Sequence, residues 1–222
     1  MAKIHPDMLE TAAYLSLAAY EEKIEGLAIH GGWTSAKAVI TRHADYDALT
    51  YCGTKDRGDI AIDLTAIPFP YMGAWAHLGF YLQLQSVWPE IQDNLTPDRP
   101  LLVDGHSLGG GLAELTIPLV RHFKSVYLIT FGKPNVWLKR SAPLFPWLKA
   151  QVSVVSGSDI VTRSPRILYG PSVGQDILYF DNTGGVVWNP TAEFRRQDYR
   201  LFDIIEDHSA IMYLKKTRDF CR

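Results

Sequence analysis

Apolar side chains recur with a helical period in several segments of the chain. Residues 5–25 carry apolar positions every three or four residues behind an early proline, and a glycine follows them, so they predict a helix. The same spacing predicts helices at residues 75–95 and 209–220. Pro89 falls inside the first of these two, where it marks a kink or the last turn.

Shorter runs of β-branched and aromatic residues predict strands. They are residues 36–43, 48–53, 59–64, 100–104, 125–131, 151–156, 176–180 and 186–188. Residues 108–123 predict a helix between two central strands, and residues 132–150 read as partly helical. Strand–helix–strand units of this length indicate a parallel sheet with crossover helices. We therefore expect one α/β domain over residues 1–222, with the last two strands forming an all-β appendage around a turn at 182–185.

Composition and charge narrow the classes of protein that fit this pattern. The 222 residues are 47% hydrophobic and 21% charged, which is typical of a globular chain and excludes a disordered or fibrous one. The formal charge of −2 provides no electrostatic footprint for nucleic acid or an anionic membrane. Two cysteines, Cys52 and Cys221, exclude a disulfide framework and leave a single bridge open.

Targeting signals are not evident in the sequence. No apolar run approaches the ~20 residues that span a bilayer, so stable membrane insertion is not expected. Acidic residues such as Asp7 and Glu10 interrupt the first apolar segment, which does not suit a secretory signal. The expected protein is soluble: cytoplasmic, a mature form without its signal, or released by another route.

One motif carries clear chemistry. Residues 101–111 read Leu-Leu-Val-Asp-Gly-His-Ser-Leu-Gly-Gly-Gly and contain G-x-S-x-G at Gly105, Ser107 and Gly109, between a predicted strand and a predicted helix. Such a sharp turn strains the serine, and side chains two residues to either side of it would collide. We expect Ser107 to stand exposed at the carboxyl edge of the sheet, where the helix dipole favours an oxyanion. The alternative is a glycine-rich turn with a capping serine.

A nucleophilic serine needs a base, and the base needs an acid that orients it. In this strand–turn–helix setting the chain order is serine, acid, histidine. Only His122 and His208 lie downstream of the serine. His122 falls on the helix directly after Ser107 and cannot fold back over it, which leaves His208 as the base.

The acid should lie just after a strand of the parallel sheet. Asp159 follows the predicted strand at residues 151–156 almost at once. The competing aspartates do not directly follow a comparably apolar strand; they are Asp176, Asp181, Asp203 and Asp207. Position in the predicted sheet therefore favours Asp159. Another carboxyl, Asp104, lies close to Ser107 and would need a partner or solvent.

Taken together, these motifs resemble the class 3 lipases, the fungal-lipase-like branch of the α/β-hydrolases, over roughly residues 36–215. Residues 105–110 match the nucleophile elbow of that family letter for letter. Residues 159–165 resemble its acid segment, and residues 207–213 resemble the segment with the base. Residues 77–80, His-Leu-Gly-Phe, resemble the start of the helix before the elbow strand.

The resemblance implies an α/β-hydrolase fold, with helices on both faces of a mostly parallel sheet. It also implies a serine ester hydrolase, a lipase that cleaves acylglycerols through a Ser-His-Asp triad and an acyl-enzyme. The oxyanion donors would be the N–H groups of Leu108 and Thr54, although Cys52 stands where the family has arginine. The family lid corresponds to residues 55–62, in which four charges accompany two isoleucines. The expected partners are a lipid or small ester and, transiently, a lipid interface.

Other functions fit parts of the same pattern. A phospholipase A1 or a soluble short-chain carboxylesterase would use the same triad, and a catalytically silent hydrolase-fold protein would bind without cleaving. No cofactor is implied, and no histidine or acid spacing suggests a metal site. Residues 67–72 with Trp75 are apolar and irregular, either as a wall of the acyl pocket or as ordinary core.

Overall fold

The computed structural model describes residues 4–53, 67–165, 168–199 and 204–222. Its α-helices are α1 (Pro6–Glu21), α2 (Leu78–Asn94), α3 (Leu108–Thr116), α4 (Ala192–Gln197), α5 (Ile204–Asp207) and α6 (Ala210–Cys221). The strands are β1 (Leu27–His30), β2 (Lys37–Arg42), β3 (Asp47–Tyr51), β4 (Pro68–Tyr71), β5 (Ala74–His77), β6 (Leu101–His106), β7 (Val126–Phe131), β8 (Trp137–Leu138), β9 (Ala150–Ser156), β10 (Tyr169–Gly170), β11 (Asp176–Phe180) and β12 (Val186–Trp188). Three short 3-10 helices are Ile117–Val120, Lys139–Ser141 and Val161–Arg163.

The main sheet runs in the order β1-β2-β3-β6-β7-β9-β11-β12. The five strands from β3 to β11 are parallel to one another. β2 and β12 pair antiparallel with the first and the last of them, and β1 pairs antiparallel with β2. A smaller antiparallel sheet has the order β10-β8-β5-β4. The carboxyl ends of the parallel strands therefore meet at one edge, which is where ligands bind in open α/β sheets.

Both faces of the main sheet are covered, which explains its continuous apolar strands. Every residue of β6 is buried, and its side chains alternate between the two faces. Leu101 and Val103 pack into a core that includes residues of α2 and α3. Leu102 points the other way, into a core with residues of α1 and α6. The predicted mostly parallel sheet with helices on both faces is confirmed.

Two predicted regions have a different structure. Residues 67–72 were expected to be irregular, but β4 and β5 form a regular hairpin around Met72 and Gly73. Trp75 lies in β5, so the helix predicted from there begins only at Leu78. Tyr71 belongs to the core, since its hydroxyl donates to the backbone oxygen of Leu115 over 2.9 Å.

The predicted all-β appendage is also wrong as stated. β11 pairs in parallel with β9, so the β11–β12 hairpin extends the main sheet. The prediction of partly helical sequence at residues 132–150 overstates its order, because only one 3-10 turn and the short β8 form there. The helix predicted to reach residue 123 ends at Thr116, and a 3-10 turn containing Pro118 follows it.

The remaining expectations concern cysteines and membrane spans. No disulfide joins Cys52 to Cys221. The two thiols donate to the backbone oxygens of Ala19 and Pro6, respectively. Within the described ranges, no helix combines the length and apolar character that crossing a bilayer requires.

Candidate active site

The predicted elbow is present where β6 passes into α3. Ser107 sits between them with φ 56° and ψ −128°, a backbone conformation that costs of order 1–3 kcal/mol for a residue with a side chain. Gly109 allows the turn, since a Cβ there would lie 2.2 Å from the backbone oxygen of Tyr51. Ser107 is buried, whereas we expected it to be exposed, and His208 hydrogen-bonds its hydroxyl.

Three predicted side chains form a continuous hydrogen-bonded chain. The Nε2 atom of His208 lies 2.8 Å from the Ser107 Oγ, and its Nδ1 lies 2.9 Å from Oδ2 of Asp159. An ionised carboxylate can only accept, so Nδ1 carries the proton and Nε2 is left to accept from the serine hydroxyl. This is the tautomer in which an imidazole can take a proton from serine.

The structure also separates these residues from their competitors. His122 is exposed beyond α3, and its ring packs at a tilt of 56° against Phe123. Asp176 bonds Asn189, and Asp181 accepts three bonds within the turn that follows β11. Asp203 lies outside the described residues.

Asp159 is fixed by two further donors. The backbone N–H of Val161 donates to its Oδ1 over 2.9 Å, and the Tyr213 hydroxyl donates to Oδ2 over 2.7 Å. Burial, and then the charge of Asp159, raise the pKa of Tyr213 well above its usual value, so the phenol keeps the proton it donates. In the sequence analysis, Tyr213 falls in the segment that resembles the base segment of the class 3 lipases, but no role follows for it from that resemblance.

Gly132 leaves room for this arrangement. It follows β7 at the carboxyl edge with φ 56°, and a Cβ there would lie 2.7 Å from Oδ2 of Asp159 and 3.2 Å from Nδ1 of His208. Only glycine combines this φ with so close an approach. Its position directly after a parallel strand was the sequence signal that could have identified it.

Asp207 precedes the histidine and holds its segment. Its buried carboxylate accepts from the backbone N–H of Ser158 over 2.6 Å and from the Ser156 hydroxyl over 3.0 Å. Lys216 on α6 reaches the same carboxylate over 3.2 Å. The segment before His208 is thus anchored to the turn that leads to Asp159.

Helix α1 contributes two side chains to the elbow strand. Ser16 donates to Oδ1 of Asp104 over 3.0 Å, and the Tyr20 hydroxyl contacts Nδ1 of His106 over 2.9 Å. Thr50 of β3 donates to the other oxygen of Asp104 over 2.9 Å. The Ser16 and Thr50 hydroxyls are therefore the partners that a buried Asp104 needs and that the sequence alone did not identify. Burial nevertheless raises the pKa of Asp104 from 3.8 to about 8.

Of the two proposed oxyanion donors, only Leu108 lies within the described residues. Leu108 is the first residue of α3, so its backbone N–H belongs to the helix N-terminal groups that lack an intrahelical acceptor. Thr54 and the lid segment at residues 55–62 lie outside the described residues.

A mostly parallel sheet that carries a strained serine, a histidine and an aspartate in this order along the chain defines a serine hydrolase of the α/β-hydrolase class. Residues 48–169, more than half of the chain, match the sequence model of the Lipase (class 3) family. The chain therefore belongs to this family and is a serine ester hydrolase of the lipase type.

Solved structures show the same fold. The triacylglyceride lipase of Rhizomucor miehei superposes with a TM-score of 0.70 at 19% identity, covering 93% of this chain and 92% of that one. The triacylglycerol lipase of Penicillium expansum gives 0.68 at 17% identity, covering 84% and 83%. A third, a triacylglycerol lipase described as having a serine protease triad, gives 0.72 at 21% identity, covering 91% and 92%. A comparison with curated protein sequences found no match.

Proposed function

We propose that Ser107, His208 and Asp159 hydrolyse carboxylic esters, with acylglycerols as the substrate class. The observation that carries the proposal is the chain of hydrogen bonds from the Ser107 Oγ through the imidazole to the Asp159 carboxylate, at 2.8 and 2.9 Å. This geometry supplies an activated nucleophile, a proton acceptor and an anion that stabilises the imidazolium.

In the first half of the reaction, the Ser107 Oγ attacks the ester carbonyl carbon while its proton passes to Nε2 of His208. Asp159 accepts the Nδ1–H throughout and stays ionised. The carbonyl oxygen becomes an oxyanion, for which we assign the backbone N–H groups of Leu108 and Thr54 as donors. The Leu108 assignment rests on its place at the start of α3, and the Thr54 assignment rests on the sequence match.

The tetrahedral intermediate collapses when His208 protonates the leaving alcohol, which departs and leaves an acyl-enzyme on Ser107. Water then attacks the acyl carbon with the imidazole as base, and a second collapse frees the acid and the serine. Every proton that moves is held at Nε2 of His208, so no cofactor is needed for these steps.

The substrate class follows from the family and from structural neighbours described as triacylglycerol lipases. Such substrates are presented at a lipid surface, so we propose transient contact with that surface. A phospholipase A1 or a short-chain esterase remains an outcome of the substrate test, because the triad itself is indifferent to the alcohol that leaves.

The test is a panel of esters that varies acyl length and head group, with the Ser107→Ala variant as the blank. We expect a fluorophosphonate to label the wild-type chain and not the variant. Ser107→Ala and His208→Ala should each lower kcat by several orders of magnitude, and the double variant should cost little more, because the residues act as a unit. Additive losses, or activity that survives Ser107→Ala, would refute the assignment.

A further inference from the structure

A cavity lies next to the segment that carries Asp159, and its lining includes Val155, Thr162 and Arg163 on either side of that residue in the chain. It measures about 370 Å³ and lies between β9, β11, the 3-10 turn at Val161–Arg163 and α4. This volume is within the range of small-molecule sites. Its lining includes no residue of the triad.

The described lining of the cavity is strongly cationic. Five basic residues and no acidic ones line it; the basic residues are Lys133, Lys139, Arg163, Arg195 and Arg196. Two of these basic side chains form ion pairs with glutamates that do not line the cavity. Lys133 contacts buried Glu114 at 2.6 Å, and Arg196 contacts Glu193 at 2.8 Å.

Arg163 and Arg195 are held together without such compensation. Nη2 of Arg163 donates to the backbone oxygen of Arg195 over 2.9 Å, and within the described ranges no carboxylate forms an ion pair with either guanidinium. Burial, and then the charge of Arg163, lower the pKa of Arg195 from its usual value. Two like charges in a partly buried place are unfavourable unless an anion joins them.

Three residues of the cavity lining also carry buried polar atoms that lack partners. The Tyr169 side chain is fully buried, and its hydroxyl has no hydrogen-bond partner. Nε of Arg195 and Oε1 of Gln175 are buried and unpartnered as well. The oxygen and nitrogen of a glutamine amide are interchangeable by a flip, so Gln175 can present a donor here. Buried groups of this kind are normally satisfied, so these three residues leave hydrogen-bonding capacity beside the cavity that a polar ligand could use.

We propose that this cavity binds a phosphate group, held by Arg163 and Arg195 with the Tyr169 hydroxyl as a neutral donor. A phosphate monoester carries a charge of nearly −2, which matches the two guanidinium groups that have no ion pair among the described residues; Arg163 has the Tyr199 ring, with its centroid 4.5 Å from the Arg163 Cζ atom, as a further contact. The guanidinium fork also suits phosphate oxygens, which accept two parallel hydrogen bonds from one arginine. A carboxylate, with one charge, would balance only one of the two.

The phosphate has two conceivable sources, a soluble phosphate or the head group of a lipid. Inorganic phosphate and glycerol 3-phosphate represent the soluble source in a calorimetric titration of the full chain. Phosphatidylcholine vesicles with and without phosphatidic acid represent the lipid source. Binding of the soluble probes and of the vesicles is measured with the Ser107→Ala variant, so that the protein does not hydrolyse the vesicle lipid during the titration.

We expect saturable binding of at least one of these probes. Arg195→Gln should weaken it roughly 10- to 100-fold, because a charge-assisted hydrogen bond is lost. Tyr169→Phe, which removes one hydroxyl and keeps the ring, should weaken it roughly fivefold. Arg121→Gln is the matched control, since this exposed arginine lies outside the cavity lining, and it should bind like the parent chain.

Binding of the soluble probes would assign the site to a free phosphate, and binding only to phosphatidic acid vesicles would assign it to a lipid head group. The unfolding midpoint of each variant without ligand separates a lost contact from a damaged fold, and Tyr169→Phe keeps the test valid if Arg195→Gln unfolds. No saturable binding of any probe, or binding that both cavity variants retain in full, would overturn the proposal.

Discussion

The Nε2 atom of His106 lies 2.8 Å from the backbone carbonyl oxygen of His208 and donates its proton to it. The residue directly before the proposed nucleophile therefore holds the main chain of the proposed base. Because Nε2 is the donor, Nδ1 accepts from the Tyr20 hydroxyl. The centroids of the His106 and His208 rings lie 4.8 Å apart, so His106 supports His208 by packing as well as by the hydrogen bond.

We expect His106→Phe to lower kcat roughly five- to tenfold with little change in KM. The ring would still pack, but a hydrogen bond of about 1 kcal/mol that orients His208 would be lost, and substrate binding does not use it. Tyr20→Phe is the milder comparison, because it removes only the outer bond to His106. Steady-state kinetics on a soluble ester and the unfolding midpoints of both variants provide the check. An unchanged kcat for His106→Phe would show that the contact does not position the base.

Asp159→Asn should slow turnover by about 10⁴-fold while the chain stays folded. An amide in place of the carboxylate stabilises the wrong tautomer of His208 and cannot balance the imidazolium. Asp181→Asn is the matched control, because Asp181 accepts its bonds within a turn away from the triad. Single-turnover kinetics would compare the two variants. If Asp181→Asn proved as damaging while Asp159→Asn stayed active, the acid would be misassigned.

Substitution of Asp207 should affect stability, unlike substitution of the other aspartates that competed with Asp159 as the triad acid. By sequence alone, substitution there should be mild, but its buried carboxylate accepts from Ser156, Ser158 and Lys216. Asp207→Asn should therefore lower the free energy of unfolding by about 1–3 kcal/mol, because a charge-assisted set of bonds is weakened. Urea unfolding measures the loss. A stability equal to that of the wild-type chain would mean that these bonds do not anchor the segment.

Gly132 and Gly184 provide a test in which backbone strain is matched. Both have positive φ, at 56° and 89°, but a Cβ at Gly132 would meet Asp159 and His208, and one at Gly184 would meet nothing within 4 Å. Each alanine variant should lose stability of the order of 1 kcal/mol from its backbone. Only Gly132→Ala should also lower kcat, by at least about tenfold, because it displaces the triad. Equal kcat values for the two variants would contradict the crowding argument.

The sequence predicted that Ser107 and Asp159 lie near each other, because their position depends on a simple rule. Ser107 and Asp159 each follow a parallel strand, and such strands end at the same edge of a sheet. The contacts of Ser16 and Tyr20 could not be predicted in the same way. The apolar period of α1 indicates which face is buried, but not which polar side chain meets which strand residue.

Long-range pairing explains the structural errors as well. Pro68 and Pro70 count against a strand, yet β4 is an edge strand, where a missing N–H breaks no inner ladder. The position of β11 beside β9 is similarly invisible to local pattern, because about twenty residues without a long helix separate them. The helix α1 lies outside the residues that match the family model, although it supports the elbow strand through Asp104 and His106.

Asp104, which α1 contacts through Ser16, should make the stability of the folded chain depend on pH. Its carboxyl is fully buried three residues before Ser107, and its partners are the Ser16 and Thr50 hydroxyls, which carry no charge. Burial outweighs these two bonds and raises the pKa from 3.8 to about 8. In the folded chain, therefore, the carboxyl holds its proton at neutral pH, where the unfolded chain has released it.

The sign of the effect on stability follows from proton binding. Between about pH 4 and about pH 8 the folded state binds more protons at Asp104 than the unfolded state, so the free energy of unfolding falls as pH rises through this window and levels off above it. Asp104→Asn, which cannot ionise, should remove this contribution, and its stability should approach or exceed that of the wild-type chain at the alkaline end. Asp93→Asn, an exposed substitution on α2, controls for the change in net charge. Urea unfolding of the three proteins across this range measures the differences, in which all other titrating groups cancel. A gap between Asp104→Asn and wild type that stays constant with pH would show that Asp104 is ionised in the folded chain.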